Sequence, residues 1–122
     1  MQKKAPKKSF HLHLVSDASG ETLTMIAKAA TVQYSLIRAI HHVHPLVRTR
    51  NQLNDVVEKI QANPGIVLYT IVNAELGREL QNQCKQMGLP CIAVLEPILN
   101  AFGQYLGADS TPVVAGQHVL DA

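Results

Sequence analysis

The chain has 122 residues, 47% of them hydrophobic and 16% charged, which is enough for one domain with a real core. The formal net charge of +2 comes from 11 Lys+Arg against 9 Asp+Glu; Lys3, Lys4, Lys7 and Lys8 sit in the leading tail, and without those four the balance is 7 against 9. That balance excludes a basic nucleic-acid face, no run approaches the roughly 20 apolar residues of a membrane span, and no long apolar stretch follows the charged start as in a signal peptide. The two cysteines, Cys84 and Cys91, form neither a CxxC pair nor a disulfide framework, so a reducing cytoplasm is the expected compartment.

Residues 1–9 read as a disordered basic tail. Residues 10–15 (FHLHLV) read as a buried, central, parallel strand. Ser16-Asp17-Ala18-Ser19-Gly20 is turn chemistry. A helix follows from Glu21 to about Gln33, with Leu23, Ile26, Ala27 and Ala30 at helical spacing. Residues 36–43 (LIRAIHHV) hold a second strand, which Pro45 stops. Thr49 or Asn51 can cap the next helix, whose apolar stripe is Leu53, Val56, Val57 and Ile60; Asn63-Pro64-Gly65 ends it. Residues 66–72 (IVLYTIV) are apolar almost throughout, as a strand covered on both faces should be. Asn73 can cap a helix reaching about Met87, with Leu76, Leu80 and Cys84 inward and Gly88 as its stop. Residues 91–95 (CIAVL) are a further strand, with Cys91 expected to be buried. Pro97 opens a last helix in which Ile98, Leu99, Phe102 and Leu106 face the core until Gly107. The domain is expected to run over residues 10–107, and residues 108–122 read as a linker or arm.

About four β-then-α units with helix-length spacers force parallel pairing and right-handed crossovers. The expected fold is α/β: a three-layer sandwich with a mostly parallel sheet of about four strands, flavodoxin-like or Rossmann-like. In either arrangement the carboxyl ends of the strands share one edge, where ligands sit in open α/β sheets. That edge gathers residues 16–22, 44–50, 73–75 and 96–97.

Three groups there can carry chemistry. Ser19, Gly20 and Thr22 can donate N–H or O–H groups to an anion at the helix start. Asp17 and Glu21 place negative charge in the same spot, which opposes a bare phosphate and suits a Mg²⁺-bridged one, a hydroxyl or an amine; a capped turn without any ligand explains the same residues. Arg48 and Arg50 follow the second strand, and arginine offers a fork of donors to phosphate or carboxylate, although two solvated loop arginines fit equally. Among the six histidines, His11 and His13 share one strand face and His42 and His44 another. Zinc would need ligands converging from both strands, so histidines filling half-polar strand positions are the simpler reading and no metal is expected. No GxxxxGK[ST], GxGxxG or GxSxG motif is present. The substrate- or phosphate-proximal candidates are Asp17, Ser19, Gly20, Glu21, Thr22, His44 and Arg48; no residue is assigned to catalysis.

LVSDASGET after an HLHL strand, then HPLVRT, NPGIVLYTIV, GLPCIAVLEPI and GQHVLDA, in that order, resemble the regulatory protein family of pyruvate,phosphate dikinase and phosphoenolpyruvate synthase. The resemblance implies a cytoplasmic, homodimeric, nucleotide-binding enzyme with two activities. Such enzymes phosphorylate a threonine of the dikinase or synthase with ADP, which inactivates it. They remove that phosphate with inorganic phosphate, releasing pyrophosphate. Members are roughly twice this length, and their phosphate-binding loop, of Gly-x-Ser-x-Thr-x-Lys-Thr character, lies in a second half that nothing here matches. The resemblance therefore implies an N-terminal domain alone, inactive by itself, with ADP and inorganic phosphate as substrates of the longer protein and no cofactor on this part. Members commonly carry Asp-Ser-Thr where this chain has Asp17-Ala18-Ser19, so no hydroxyl acts at position 18. The VLYTIV and VLEPI runs lean toward the dikinase as target. The domain would dock that target or complete a shared cleft. Two alternatives stay open: a structural dimerisation domain without reacting groups, and a small-ligand-sensing α/β domain.

Overall fold

Parallel strands need a long crossover between them, usually a helix, and here helices link four parallel strands. The computed structural model describes residues 8–110. Strands β1 (Lys8–Ser16), β2 (Ile37–His44), β3 (Gly65–Thr70) and β4 (Cys91–Ala93) alternate with helices α1 (Glu21–Thr31), α2 (Arg50–Ala62), α3 (Ala74–Met87) and α4 (Glu96–Leu106). The sheet order is β2-β1-β3-β4 and every pairing is parallel. The α/β architecture expected from the spacing is therefore present, with β1 at its centre.

Alternation along β1 divides the interior into two cores. Leu12 and Leu14 pack on one face with Leu23 and Ala27 of α1. Val15 faces the other side, among Leu53, Val56, Val57 and Ile60 of α2 and Leu76, Leu80 and Cys84 of α3. Of the two candidate caps for α2, Thr49 is used: its hydroxyl accepts the Gln52 N–H, and Gln52 returns a bond to the cap backbone. Asn73 caps α3 by accepting the Leu76 N–H at 3.0 Å. Gly65 starts β3 so close to β1 that a Cβ there would overlap the His11 carbonyl.

Several expectations need correction. β1 begins at Lys8, so Lys8 and Ser9 lie in a strand. Residues 1–7 of the expected tail and 111–122 of the expected arm lie outside the described residues. On α1 only Leu23 and Ala27 are buried, while Ile26 and Ala30 are exposed. That helix rests on the sheet through Leu23 and Ala27, so only its innermost positions are covered. β4 stops at Ala93, an edge strand with a single neighbour, and Cys91 is half-buried. The largest departure is α4. Ile98, Leu99, Phe102 and Leu106, expected to face the core, are all exposed, because nothing among the described residues packs beyond the β4 edge.

Candidate functional site

The site grows from the carboxyl end of β1. The Ser16 carbonyl accepts the Val47 N–H at 2.9 Å, and the Ala18 carbonyl accepts the Leu46 N–H at 2.9 Å. Asp17 is buried, 4% exposed. Its N–H donates to the Thr70 carbonyl at 3.1 Å, its Oδ2 accepts the Val72 N–H at 2.9 Å, and its own carbonyl accepts the Arg48 Nε–H at 2.8 Å. One residue thus ties together the loops after β1, β2 and β3. The chain leaves β1 for β2 on one side and reaches β3 on the other, so this is the switch point at which open α/β sheets bind ligands. Here the Asp17 carboxylate is buried and engaged with the Val72 N–H.

Gly20 caps α1 at φ 88°, a left-handed conformation, and a Cβ on it would stand 3.1 Å from Val43 Cγ1. Its carbonyl is held by the Thr24 hydroxyl at 2.8 Å and the Thr24 N–H at 2.9 Å. Ser19 accepts the Glu21 N–H in a long contact of 3.4 Å. Ser19, Glu21 and Thr22 are exposed. Arg48 is exposed apart from its Nε, and its backbone N–H donates to Gln52 Oε1 at 2.8 Å. Asp17, Ser19, Gly20, Glu21, Thr22 and Arg48 therefore share one rim. Arg50 turns away and pairs with Glu79 of α3 at 3.4 Å, a largely solvated contact.

His44 does not join that rim. It ends β2, but its ring is buried against His13. His13 Nε2–H donates to the Asn63 carbonyl at 2.7 Å. A neutral ring protonated there leaves Nδ1 as an acceptor, so His44 Nε2–H donates to it at 2.9 Å. His11 and His42 make a second hydrogen-bonded pair at 2.8 Å. The rings interleave, with His13 stacked on His42 at 4.6 Å and on His44 at 5.2 Å. Burial first, then the like charges of His13 and Lys59, holds His44 down at about 4. Burial also lowers His13 and His42. The four histidines form a hydrogen-bonded and stacked ladder across two strands, and no group of three metal-ligating side chains stands in binding geometry among the described residues.

Sequence reasoning missed the other feature of this edge. A groove of about 470 Å³ lies between α3 and α4, with Tyr69, Ile71 and Leu99 among its apolar lining and Asn73, Arg78 and Glu96 among its polar lining. Tyr69 forms its floor, and its hydroxyl accepts from Gln81 Nε2 at 3.1 Å. Asn73 and Glu96 belong to the expected edge; Arg78, little more than one turn into α3, had no motif to mark it.

The model of the kinase/pyrophosphorylase family matches residues 12–122. The chain belongs to the kinase/pyrophosphorylase family. Relatives named pyruvate, phosphate dikinase regulatory protein are similar over nearly all of it. One from Chelativorans sp. (strain BNC1) is 54% identical across 117 residues, 96% of this chain and 43% of its own length. Those from Brucella anthropi and Brucella ovis are 52% and 51% identical, again over 96% of this chain and 42% of theirs. The chain thus spans less than half the length of these relatives. The family read from the order of the motifs is the one found. In this kinase/pyrophosphorylase chain the outward-facing groups of the rim are Ser19, Glu21, Thr22 and the outer end of Arg48, on a frame tied by Asp17.

Proposed function

We propose that the chain docks the target, or completes the target cleft, of a longer cytoplasmic enzyme that acts on pyruvate,phosphate dikinase. That enzyme is an ADP-dependent serine/threonine kinase and a phosphate-dependent, pyrophosphate-releasing phosphorylase. The observation that carries the reading is the shared rim, in which the exposed Arg48 is fixed through its Nε to the Asp17 carbonyl. Membership of the kinase/pyrophosphorylase family and the printed name of its relatives support it.

The chemistry divides between frame and contact groups. Asp17 and Gly20 hold the loops. The outer guanidinium edge of Arg48 offers two parallel donors to a phosphate or carboxylate of the target. Ser19 and Thr22 offer hydroxyls. Glu21 accepts from a hydroxyl or amine and repels a bare phosphate, which favours the acceptor threonine before transfer. His44 acts from beneath by fixing the end of β2. ADP and inorganic phosphate are handled by the rest of the longer protein, so this chain alone transfers no phosphate.

Steady-state kinetics of the full-length protein test the reading. Arg48→Ala should raise KM for the dikinase about tenfold, equivalent to about 1.4 kcal/mol of binding, with kcat little changed, and Arg48→Lys should restore only part of it. Unchanged KM in both reaction directions for folded Arg48→Ala and Glu21→Gln proteins would reject it.

A further inference from the structure

Helices α1, α2 and α3 each bury an apolar stripe, but α4 buries no residue. Its sequence is nonetheless that of a packed helix. Ile98, Leu99, Phe102, Tyr105 and Leu106 fall on one face at helical spacing, and its only charged residue is Glu96 in the first turn. Phe102 is 59% exposed and Tyr105 90%. Ile92 of the neighbouring edge strand, opposite Leu68, is exposed as well. Each of the five helix side chains is at least 41% exposed, an uncovered apolar face of the kind that marks an interaction surface.

Two observations say what covers it. Relatives over which this chain is more than half identical carry more than as much chain again, since the matched part is 42–43% of their length. And residues 107–110 stay beside the patch: Gly107 turns left-handed at φ 62°, Ala108 N–H donates back to the Gly103 carbonyl, and Ser110 lines the groove with Leu99. We propose that the apolar face of α4 is the seat of the remaining part of the longer polypeptide, packed within the same chain. Tethering supplies a high effective concentration, so the contact needs no second molecule. The inference rests on family membership and not on the docking activity proposed above.

Amide hydrogen exchange tests it, comparing the 122-residue chain with the polypeptide encoded by the whole reading frame. Residues 98–106 should exchange about tenfold more slowly in the whole polypeptide, at a rate independent of concentration. Phe102→Glu with Tyr105→Glu should remove that protection and leave α2 and α3 protected; should that variant fail to fold, Tyr105→Ala with the same readout replaces it. Equal exchange in the two proteins would overturn the proposal, as would a reading frame that stops at Ala122. So would protection of the 122-residue chain that grows with concentration as sedimentation shows a dimer, which would assign the face to a second copy. No readout depends on phosphoryl transfer, so the failure of either reading is visible separately.

Discussion

Acidification from pH 7 to pH 5 should destabilise this domain through its histidine ladder. His44 titrates at about 4 when folded and at 6.5 when free. The folded state therefore binds the proton less readily than the unfolded state, so stability is full above 6.5 and falls as the pH drops toward 4. At pH 7 an unfolded histidine is about a quarter protonated, and at pH 5 it is almost fully so, while the folded ring holds roughly a tenth of a proton. The difference for His44 alone is about 2 kcal/mol between those two pH values, or a Tm drop of roughly 8–16 °C for a domain of this size. His13 and His42, lowered by burial as well, act in the same direction. The charged neighbour is Lys59, which repels the new charge and offers it no partner. Urea unfolding followed by circular dichroism at pH 7, 6 and 5 measures the effect, with His44→Gln as the control that cannot titrate. The wild type should lose at least about 2 kcal/mol and the variant correspondingly less. A midpoint that stays constant from pH 7 to pH 5, or a variant that keeps the whole wild-type slope, would refute the reasoning.

Three further outcomes follow from the fold. Gly65→Ala forces a Cβ into the His11 carbonyl and should cost about 3 kcal/mol or more, seen as a collapse of the thermal midpoint. Asp17→Ala strands the Val72 N–H in a buried crevice and should cost about 1–3 kcal/mol, whereas Asp17→Asn keeps an acceptor and should cost less; matched urea titrations separate the two. Thr49→Ala removes one half of the α2 capping box and should lower stability by about 1 kcal/mol without altering the denaturant slope.

What could be read in advance follows from the range of each signal. β1, α2 and α3 carry local patterns: alternation around His13, a stripe through Leu53 and Ile60, a cap at Asn73 and a left-handed stop at Gly88. Those patterns survive into the structure because burial on both sides agrees with them. The outward turn of α4 was not legible, since periodicity reveals that a helix has an apolar face and is silent on whether anything covers it. Nor was the use of Asp17. Its carboxylate engages an amide 55 residues further along, and no spacing rule reaches that far. His44 illustrates the same limit. Its place at the end of β2 was readable, but its inward direction depends on His13 across the sheet, 31 residues away.

The placement of β1 matters for how the polypeptide is made. Both neighbours of β1 lie later in the sequence, so it stays incomplete on both flanks until residues 37–44 and then 65–70 have been synthesised. Until then Leu12, Leu14 and Val15 have no lasting shelter, so a nascent chain stalled before residue 65 presents a sticky, unpaired ribbon. The interval between synthesis of β1 and of β3 is thus the one in which this domain most needs a holding chaperone.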